Sequence, residues 1–241
     1  MQLSIVVPAY NEEKYLPTCL QWVLAEIARS PVPSSVEIVV VDNASTDRTA
    51  QFARSFPAVR VVEEPAKGLT RARQKGLAEA RGEILAYVDA DTRMPPGWIT
   101  RVLRSFETNH RVVCVSGPYI YYDASPLART LVRLYWIFLA IPAYWVTRYM
   151  VVGGNFAARK QALIAIGGFD TQIAFYGEDT NIARRLHAVG KVSFVMRLPM
   201  HTSSRRFQAE GLCSTALSYA ANFLSEVILS RPITRFYRDI R

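Results

Sequence analysis

Two carboxylates one residue apart, Asp89 and Asp91, stand immediately after the apolar run Ile84-Leu-Ala-Tyr-Val88. Alternate residues leaving a strand can place two hard oxygen donors side by side, a seat for Mg2+ or Mn2+ next to a diphosphate. A cation there would act as a Lewis acid on a leaving nucleoside diphosphate. An Asp-x-Asp triplet is common in surface loops, so its position carries the argument: Asp42 closes the apolar run Val39-Val-Val41 in the same way. A second acidic pair, Glu178-Asp179, precedes a helical pattern running from Asn181 to about Val189. Carboxylates at a helix start either cap it or supply a general base.

Cations and glycines accompany these acids. Lys67-Gly68, Arg71 and Arg73 lie ahead of or early in a helical pattern, where Arg73 in particular could contact phosphate or pair with Asp42. His201, one of three histidines, is either structural or a metal ligand, and Ser203, Ser204, Arg205 and Arg206 after it form a polar, cationic corner suited to phosphate. Gly153-Gly154 and Gly167-Gly168 permit close backbone approach or positive φ, as a loop against a sugar or a plain turn would need.

The elements that must position these groups are short apolar strands alternating with helical patterns. Strands are expected at Leu3–Pro8, Val36–Val41, Val59–Val62, Ile84–Val88 and from Val112. Helices are expected at about Glu12–Ile27, up to about Phe56 with Ser45 or Thr46 as cap, at Leu69–Ala80 and at Pro96–Phe106. Continuous apolar strands of this kind belong to an α/β fold with a mainly parallel sheet covered on both faces. Ligands of such sheets bind beyond the carboxyl ends of the strands, so Asp42 and Asp89 should look into one crevice.

Composition narrows the partners. The formal net charge of +9 asks for an anionic partner, but no dense run of Lys or Arg and no interleaved aromatic stripe marks a nucleic-acid groove. Cys19, Cys114 and Cys213 are too scattered for a disulfide framework or a zinc cluster. The amino terminus runs at once into a strand without the features of a signal peptide, so the catalytic part is expected to stay in the cytoplasm. Leu134–Thr147 is uncharged, rich in aromatics and flanked by arginines, and no acidic residue occurs between Ala124 and Phe169. At 14 residues it falls short of a membrane span; it suits a helix lying on the inner face of a membrane or one buried on the sheet. A helical tail from Gly211 ends in Arg231, Arg235, Arg238 and Arg241, spaced to share a face that anionic headgroups would favour. The sequence carries no signal for an oligomeric state.

The motifs together resemble family 2 of the inverting glycosyltransferases. The resemblance rests on Val6-Val-Pro-Ala-Tyr-Asn-Glu-Glu13, Val40-Val-Asp-Asn-Ala-Ser-Thr-Asp47, Lys67-Gly68 with Ala72-Arg73, and Tyr87-Val-Asp-Ala-Asp-Thr92. Gly153-Gly-Asn155, Gly167-Gly-Phe-Asp170 and Gly177-Glu-Asp179 complete it, in order, over roughly residues 3 to 190. It implies a GT-A fold, a Rossmann-like nucleotide-binding domain with a mainly parallel mixed sheet flanked by helices. The catalytic domain would cover 1–200, with a nucleotide-binding half at about 1–120 and an acceptor-binding half at about 121–200, followed by a basic helical extension at 201–241. Pro8, Tyr10 and Glu12 would line the base and ribose pocket, and Asp42 would reach the nucleoside with Arg73 nearby. Asp89 would contact ribose or diphosphate, Asp91 the cation, and His201 would be a last metal ligand. Asp179 would be the base that deprotonates the acceptor hydroxyl, supported by Glu178, with Arg205 or Arg206 steadying the departing diphosphate.

The implied reaction is Mn2+- or Mg2+-dependent transfer from a nucleotide-sugar, foremost a UDP-sugar, to a glycan or a lipid-linked, membrane-proximal acceptor. Processive synthases of the family carry a Gln-x-x-Arg-Trp signature and clear membrane spans. His201-Thr-Ser-Ser-Arg-Arg-Phe207 stands in that region instead, which points to transfer of one sugar. Two rivals are a sugar-phosphate nucleotidyltransferase, which would place a glycine-rich basic segment where Pro8-Ala-Tyr-Asn-Glu-Glu13 stands, and a catalytically inactive nucleotide-binding or membrane-associated scaffold, which need not keep Asp42, Asp89, Asp91 and Asp179.

Overall fold

The computed structural model describes residues 1–173, 175–229, 233 and 234. The tail arginines Arg231, Arg235, Arg238 and Arg241, and the Cys213 side chain, lie outside the described residues. Strands β1 (Leu3–Ala9), β2 (Val36–Asp42), β3 (Val59–Glu63) and β4 (Ile84–Val88) alternate with helices α1 (Leu16–Arg29), α2 (Thr49–Arg54) and α3 (Leu69–Glu79). After β4 come β5 (Thr92–Arg93), α4 (Trp98–Glu107), β6 (Val112–Ser116) and β7 (Tyr119–Tyr121). Then α5 (Pro126–Tyr135) and α6 (Ile141–Thr147) are joined by one wide π turn at Trp136–Ala140. The remainder is β8 (Asn155–Arg159), α7 (Lys160–Ala165), α8 (Glu178–His187), β9 (Lys191–Phe194), β10 (Met200–Thr202), α9 (Arg205–Glu210) and α10 (Leu212–Leu229).

Seven strands pair in the order β3-β2-β1-β4-β8-β6-β9, and β5-β10-β7 make a small second sheet. β1 to β4 run parallel, β8 is antiparallel between β4 and β6, and β9 is parallel to β6. The continuous apolar strands have their explanation in two cores. Leu3, Ile5 and Val7 of β1 face α1 and α4 through Leu20, Trp98 and Phe106, while Val6 between them faces α3 and α8 through Ala72, Leu77 and Ile182. Both faces being covered, polar alternation would be costly, and the strands read as unbroken hydrophobic runs. Cys19 and Cys114 are free and buried in these cores, and burial pushes the Cys19 thiol up to about 12; both behave as small hydrophobes.

Several helix starts differ from expectation: α1 begins at Leu16 rather than about Glu12, and α8 at Glu178 rather than Asn181. α2 begins at Thr49, and Ser45 and Thr46 do not cap it. They instead bind the loop after β1: the Asn11 N–H donates to Ser45 Oγ at 3.1 Å, and the Thr46 N–H donates to Asn11 Oδ1 at 2.8 Å. α4 begins at Trp98 rather than Pro96. Its orphan N–H groups are satisfied from α1, since buried Glu26 accepts from the Gly97 N–H at 2.9 Å and the Ile99 N–H at 3.1 Å. No sequence-local signal marks a cap supplied 71 residues away.

Glu26→Ala leaves these two buried donors unpaired and should destabilise the fold by about 2 kcal/mol in urea denaturation. Glu26→Gln, which keeps one acceptor oxygen, should lose clearly less.

Candidate functional site

The parallel strands β1, β2 and β4 end on one side of the sheet, and the groups that could do chemistry gather there in two neighbouring places. At the ends of β1 and β2, Ala9 pairs with Asp42, and the Asn43 N–H donates to Ala9 O at 2.8 Å. Asn43 shapes the next loop: its amide donates to Glu64 O and Ala66 O and accepts from the Gly68 N–H at 2.7 Å, bringing the Lys67 segment over the strand ends. Lys67 Nζ lies 3.9 Å above the Tyr10 ring. Among the described residues, buried Asp42 Oδ1 has no hydrogen-bond partner, an acceptor left for something else to satisfy.

The second place is a cavity of about 100 Å3 at the ends of β1 and β4. It is lined by Pro8, Asp89, Asp91, Gly153 and Gly154, by Arg73, Glu178 and Asp179, by Tyr119, Tyr121 and Thr202, and by Arg205, Arg206, Phe207 and Tyr219. Asp42 is not among the lining residues, so the crevice shared with Asp89 is divided by the end of β1.

Arg73, projecting from α3 and 2% exposed, ties the cavity together. Its guanidinium lies 3.2 Å from Asp179, 3.7 Å from Glu178 and 3.8 Å from Asp89. The expected pairing of Arg73 with Asp42 is not formed; three carboxylates from β4 and α8 take it instead. Glu178 and Asp179 open α8 but do not cap it with their side chains. Asp179 accepts from the Gly153 N–H at 2.8 Å. A Cβ on Gly153 would collide with Asp179 and Arg73, and one on Gly154 with Asp89, so close approach, not positive φ, requires this glycine pair. Gly167 and Gly168 do take positive φ, at +75° and +73°, but Gly168 lies against Gln74, and neither is among the residues lining the cavity.

Arg205 bridges the other side. It grips Glu12 at 2.8 and 2.5 Å, reaches Asp91 with Nε at 2.8 Å and lies over Tyr15. Glu12, expected at the base and ribose, is thus held by Arg205 in a buried ion pair. Arg206 pairs with Glu210 at 2.9 Å and lies over Phe175. Thr202 Oγ1 donates to Asp91 at 3.3 Å and the Tyr119 hydroxyl to Asp89 at 2.8 Å.

His201, expected as a last metal ligand, stands apart from the cavity. Neighbours on a strand face opposite ways, and Thr202 faces Asp91, so His201 faces away, beside Arg93, its pairing partner on β5. It does not line the cavity, and burial followed by the charge of Arg93 lowers its pKa. The expected boundary at 200 falls at β10 (Met200–Thr202). Residues of α9 and α10 line the cavity, and buried Glu226 of α10 binds Asn181 and Arg184 of α8. Tyr119, Tyr121, Phe207 and Tyr219 are lining residues that sequence reasoning missed. Only Tyr119, just past an apolar strand, carried a signal.

Charge is unbalanced here. Asp89, Asp91, Glu178, Asp179 and the partners Glu12 and Glu210 face Arg73, Arg205 and Arg206. Burial, opposed by Arg73, holds the Asp179 carboxyl above its ordinary range. Burial, and then the charge of Asp179, raises Glu178 well above its own. An acidic cavity of this kind repels a diphosphate unless a cation comes with it. No cluster of three or more His, Cys, Asp or Glu side chains able to hold a metal occurs among the described residues. Mg2+ and Mn2+, however, commonly take one or two carboxylates plus substrate phosphates, and the hard oxygens of Asp89 and Asp91 fit that pattern.

The sheet order, the strand-end acids and the helix-start carboxylates define a GT-A fold. Residues 4–167 match the family described as Glycosyl transferase family 2, and the chain belongs to that family. It is 31% identical over 107 residues to the putative glycosyltransferase EpsH of Bacillus subtilis, covering 43% of this chain and 30% of the relative. To the glycosyltransferase GlyG of Streptococcus pneumoniae it is 30% identical over 128 residues, covering 51% and 40%. The chain thus matches well under half the length of these curated relatives. S. aureus TarS 1–349 superposes with a TM-score of 0.67 at 18% identity, over 95% of this chain and 72% of that one. The Pyrobaculum calidifontis mannosyltransferase PcManGT, in complex with GDP-Man and Mn2+, gives 0.62 at 23%, over 90% and 64%.

Carbon-13 NMR of the carboxyl groups should show Asp179 and Glu178 titrating above the ordinary carboxylate range, and Arg73→Gln should move Asp179 higher still by removing the charge that lowers it. Because both folded-state values exceed the unfolded ones, the pair's protonation favours the fold at low pH, and that contribution is lost as pH rises through the folded values.

Proposed function

We propose that the chain transfers a single sugar, with inversion, from a nucleotide-sugar to a hydroxyl acceptor, in a reaction that requires Mg2+ or Mn2+. The observation that carries this reading is the convergence of Asp89 and Asp91 from a strand end with Glu178 and Asp179 from a helix start on one cavity, across Arg73. The nucleoside lies at the ends of β1 and β2, where Asp42 offers its unpartnered oxygen and Tyr10 and Lys67 border the site, with Pro8 between it and the cavity. A UDP-sugar is the preferred donor, in keeping with the S. aureus TarS structure solved with UDP-GlcNAc; GDP-mannose, present in the P. calidifontis PcManGT structure, is the other donor to test.

Diphosphate and sugar enter the cavity. At about 100 Å3 it is smaller than the roughly 300–1,000 Å3 of ligand clefts, so donor binding opens the wall made by α9 and Tyr219. A divalent cation held by Asp91, with Asp89 beside it, would neutralise charge on the departing diphosphate. Asp179 takes the proton of the acceptor hydroxyl as its oxygen bonds to C1 of the sugar. The C1–O bond to phosphate breaks on the opposite face, and its electron pair leaves with the diphosphate. Glu178 and Arg73 hold Asp179 in place, while Arg205, released from Asp91 and Glu12 as the wall opens, and Arg206 meet the phosphates. Raised by burial, Asp179 is a stronger base than an exposed carboxylate. The acceptor is a glycan or a lipid-linked, membrane-proximal hydroxyl.

Incubated with UDP-, GDP- and dTDP-sugars and either metal, the protein should release nucleotide from one donor class. Chelator or Asp91→Ala should abolish this release. Asp179→Asn should lower kcat by roughly 10^2- to 10^4-fold with donor affinity largely kept. Absence of both release and calorimetric nucleotide binding would overturn the assignment.

A further inference from the structure

The Pro126–Thr147 helix is long for its surroundings. Its 22 residues have a mean hydropathy of 1.3 over the most apolar stretch, of which only 6% is buried. The short, uncharged core read from the sequence is therefore extended by a full N-terminal segment, and the helix is not buried on the sheet. What holds it is a narrow seam along β9, the edge strand of the large sheet. Trp136 stacks on Phe194 at 5.5 Å and donates to Tyr119 O, and the Tyr144 hydroxyl donates to Val192 O at 3.2 Å. Seam positions four residues apart drift around an ordinary helix, and the π turn between Trp136 and Ala140 resets that drift so that Tyr144 returns to β9. The rest of the surface exposes Leu131, Leu134, Ile137, Phe138, Leu139 and Trp145, with Phe138 67% and Val146 84% exposed. An apolar surface of this extent marks an interaction site.

Charge identifies the occupant. Arg129, Arg133 and Arg148 are exposed along the helix, with no acidic residue from Ala124 to Phe169. The C-terminal end of the helix adjoins a basin in which Arg148 meets His110, Arg111, His187 and Lys191. No carboxylate is among the residues lining that basin. A second copy of this chain would bring like charges together; a negatively charged surface would not. Nor can the helix cross a membrane while its middle is fixed to β9 and both ends return to strands of the same domain.

We propose that the Pro126–Thr147 helix and the basic basin at its end form one docking surface for an anionic lipid bilayer. The helix lies in the interface plane, its Phe138 and Trp145 side at the acyl boundary and its arginines and the basin on headgroup phosphates. Docking does not depend on the transfer chemistry. Taken with it, an acceptor carried in the bilayer would reach the cavity past Tyr119 and Tyr121, which only residues 122–125 separate from the helix.

The test is cosedimentation of the full chain, without nucleotide, with phosphatidylcholine vesicles containing or lacking phosphatidylglycerol. The wild type should bind the anionic vesicles, less so at high salt. Phe138→Glu/Val146→Glu and Arg111→Ser/Lys191→Ser should each weaken that binding roughly tenfold or more, with circular dichroism and melting unchanged. Failure of the wild type to bind anionic vesicles, equal binding to both vesicle types, or binding that neither variant weakens would overturn the proposal. So would a dimer in light scattering that Phe138→Glu/Val146→Glu makes monomeric without any vesicle binding. Because no turnover is read, any of these results leaves the sugar-transfer reading standing or falling on its own assay.

Discussion

One buried guanidinium decides how the site is assembled. Arg73 reaches from α3 beneath the strand ends and meets Asp89 from β4 and Glu178 and Asp179 from α8, residues that lie between 16 and 106 positions away in the chain. A cation with 2% exposure survives only if its charge is answered, and three carboxylates around one arginine survive only if some of their charge is answered in turn. The arrangement therefore leaves excess negative charge. That excess raises Glu178 beyond what burial alone would do, and under the proposed chemistry it favours a diphosphate that arrives with its cation.

The rest of the fold serves that cluster. Parallel β1, β2 and β4 aim their carboxyl ends at one side, the antiparallel insertion of β8 brings Gly153 and Gly154 under the carboxylates, and the glycines admit them because they lack a Cβ. Asn155, completely buried, holds this turn by accepting from the Trp98 indole and donating to Pro118 O and Leu198 O. On the far wall Arg205 does for Asp91 and Glu12 what Arg73 does for the other three. Arg205, however, sits on a short helix, α9, whose Arg206 and Phe207 also line the cavity.

Much of this was legible in the residues. The unbroken apolar runs gave the parallel sheet because both of its faces are covered, and the acids closing β2 and β4 stood where strand-end ligands bind. The helix-start pair Glu178-Asp179 was legible as a choice between capping and chemistry; neither side chain caps α8, and Asp179 meets the Gly153 N–H and Arg73 instead. What could not be read depends on contacts distant in sequence. Glu26 caps a helix from another helix. Asn11, Ser45 and Thr46 tie two loops to each other, so neither Ser45 nor Thr46 caps α2. Arg205 holds Glu12 in a buried ion pair across 193 positions of the chain. His201 illustrates a different limit: its motif position was suggestive, but strand alternation sends it to the face opposite Asp91. The length of the Pro126–Thr147 helix was also hidden, since Arg129 and Arg133 interrupt its hydrophobicity without interrupting its backbone.

The most direct test of the central claim is a double-mutant cycle on Arg73→Gln and Asp179→Asn, read as kcat/KM for sugar transfer from the active nucleotide-sugar. If Arg73 acts by holding Asp179 as the base, the double variant should be about as slow as the slower single variant, since groups that work as a unit lose their effect together. Fully additive losses would show that the two act independently, and would contradict the account.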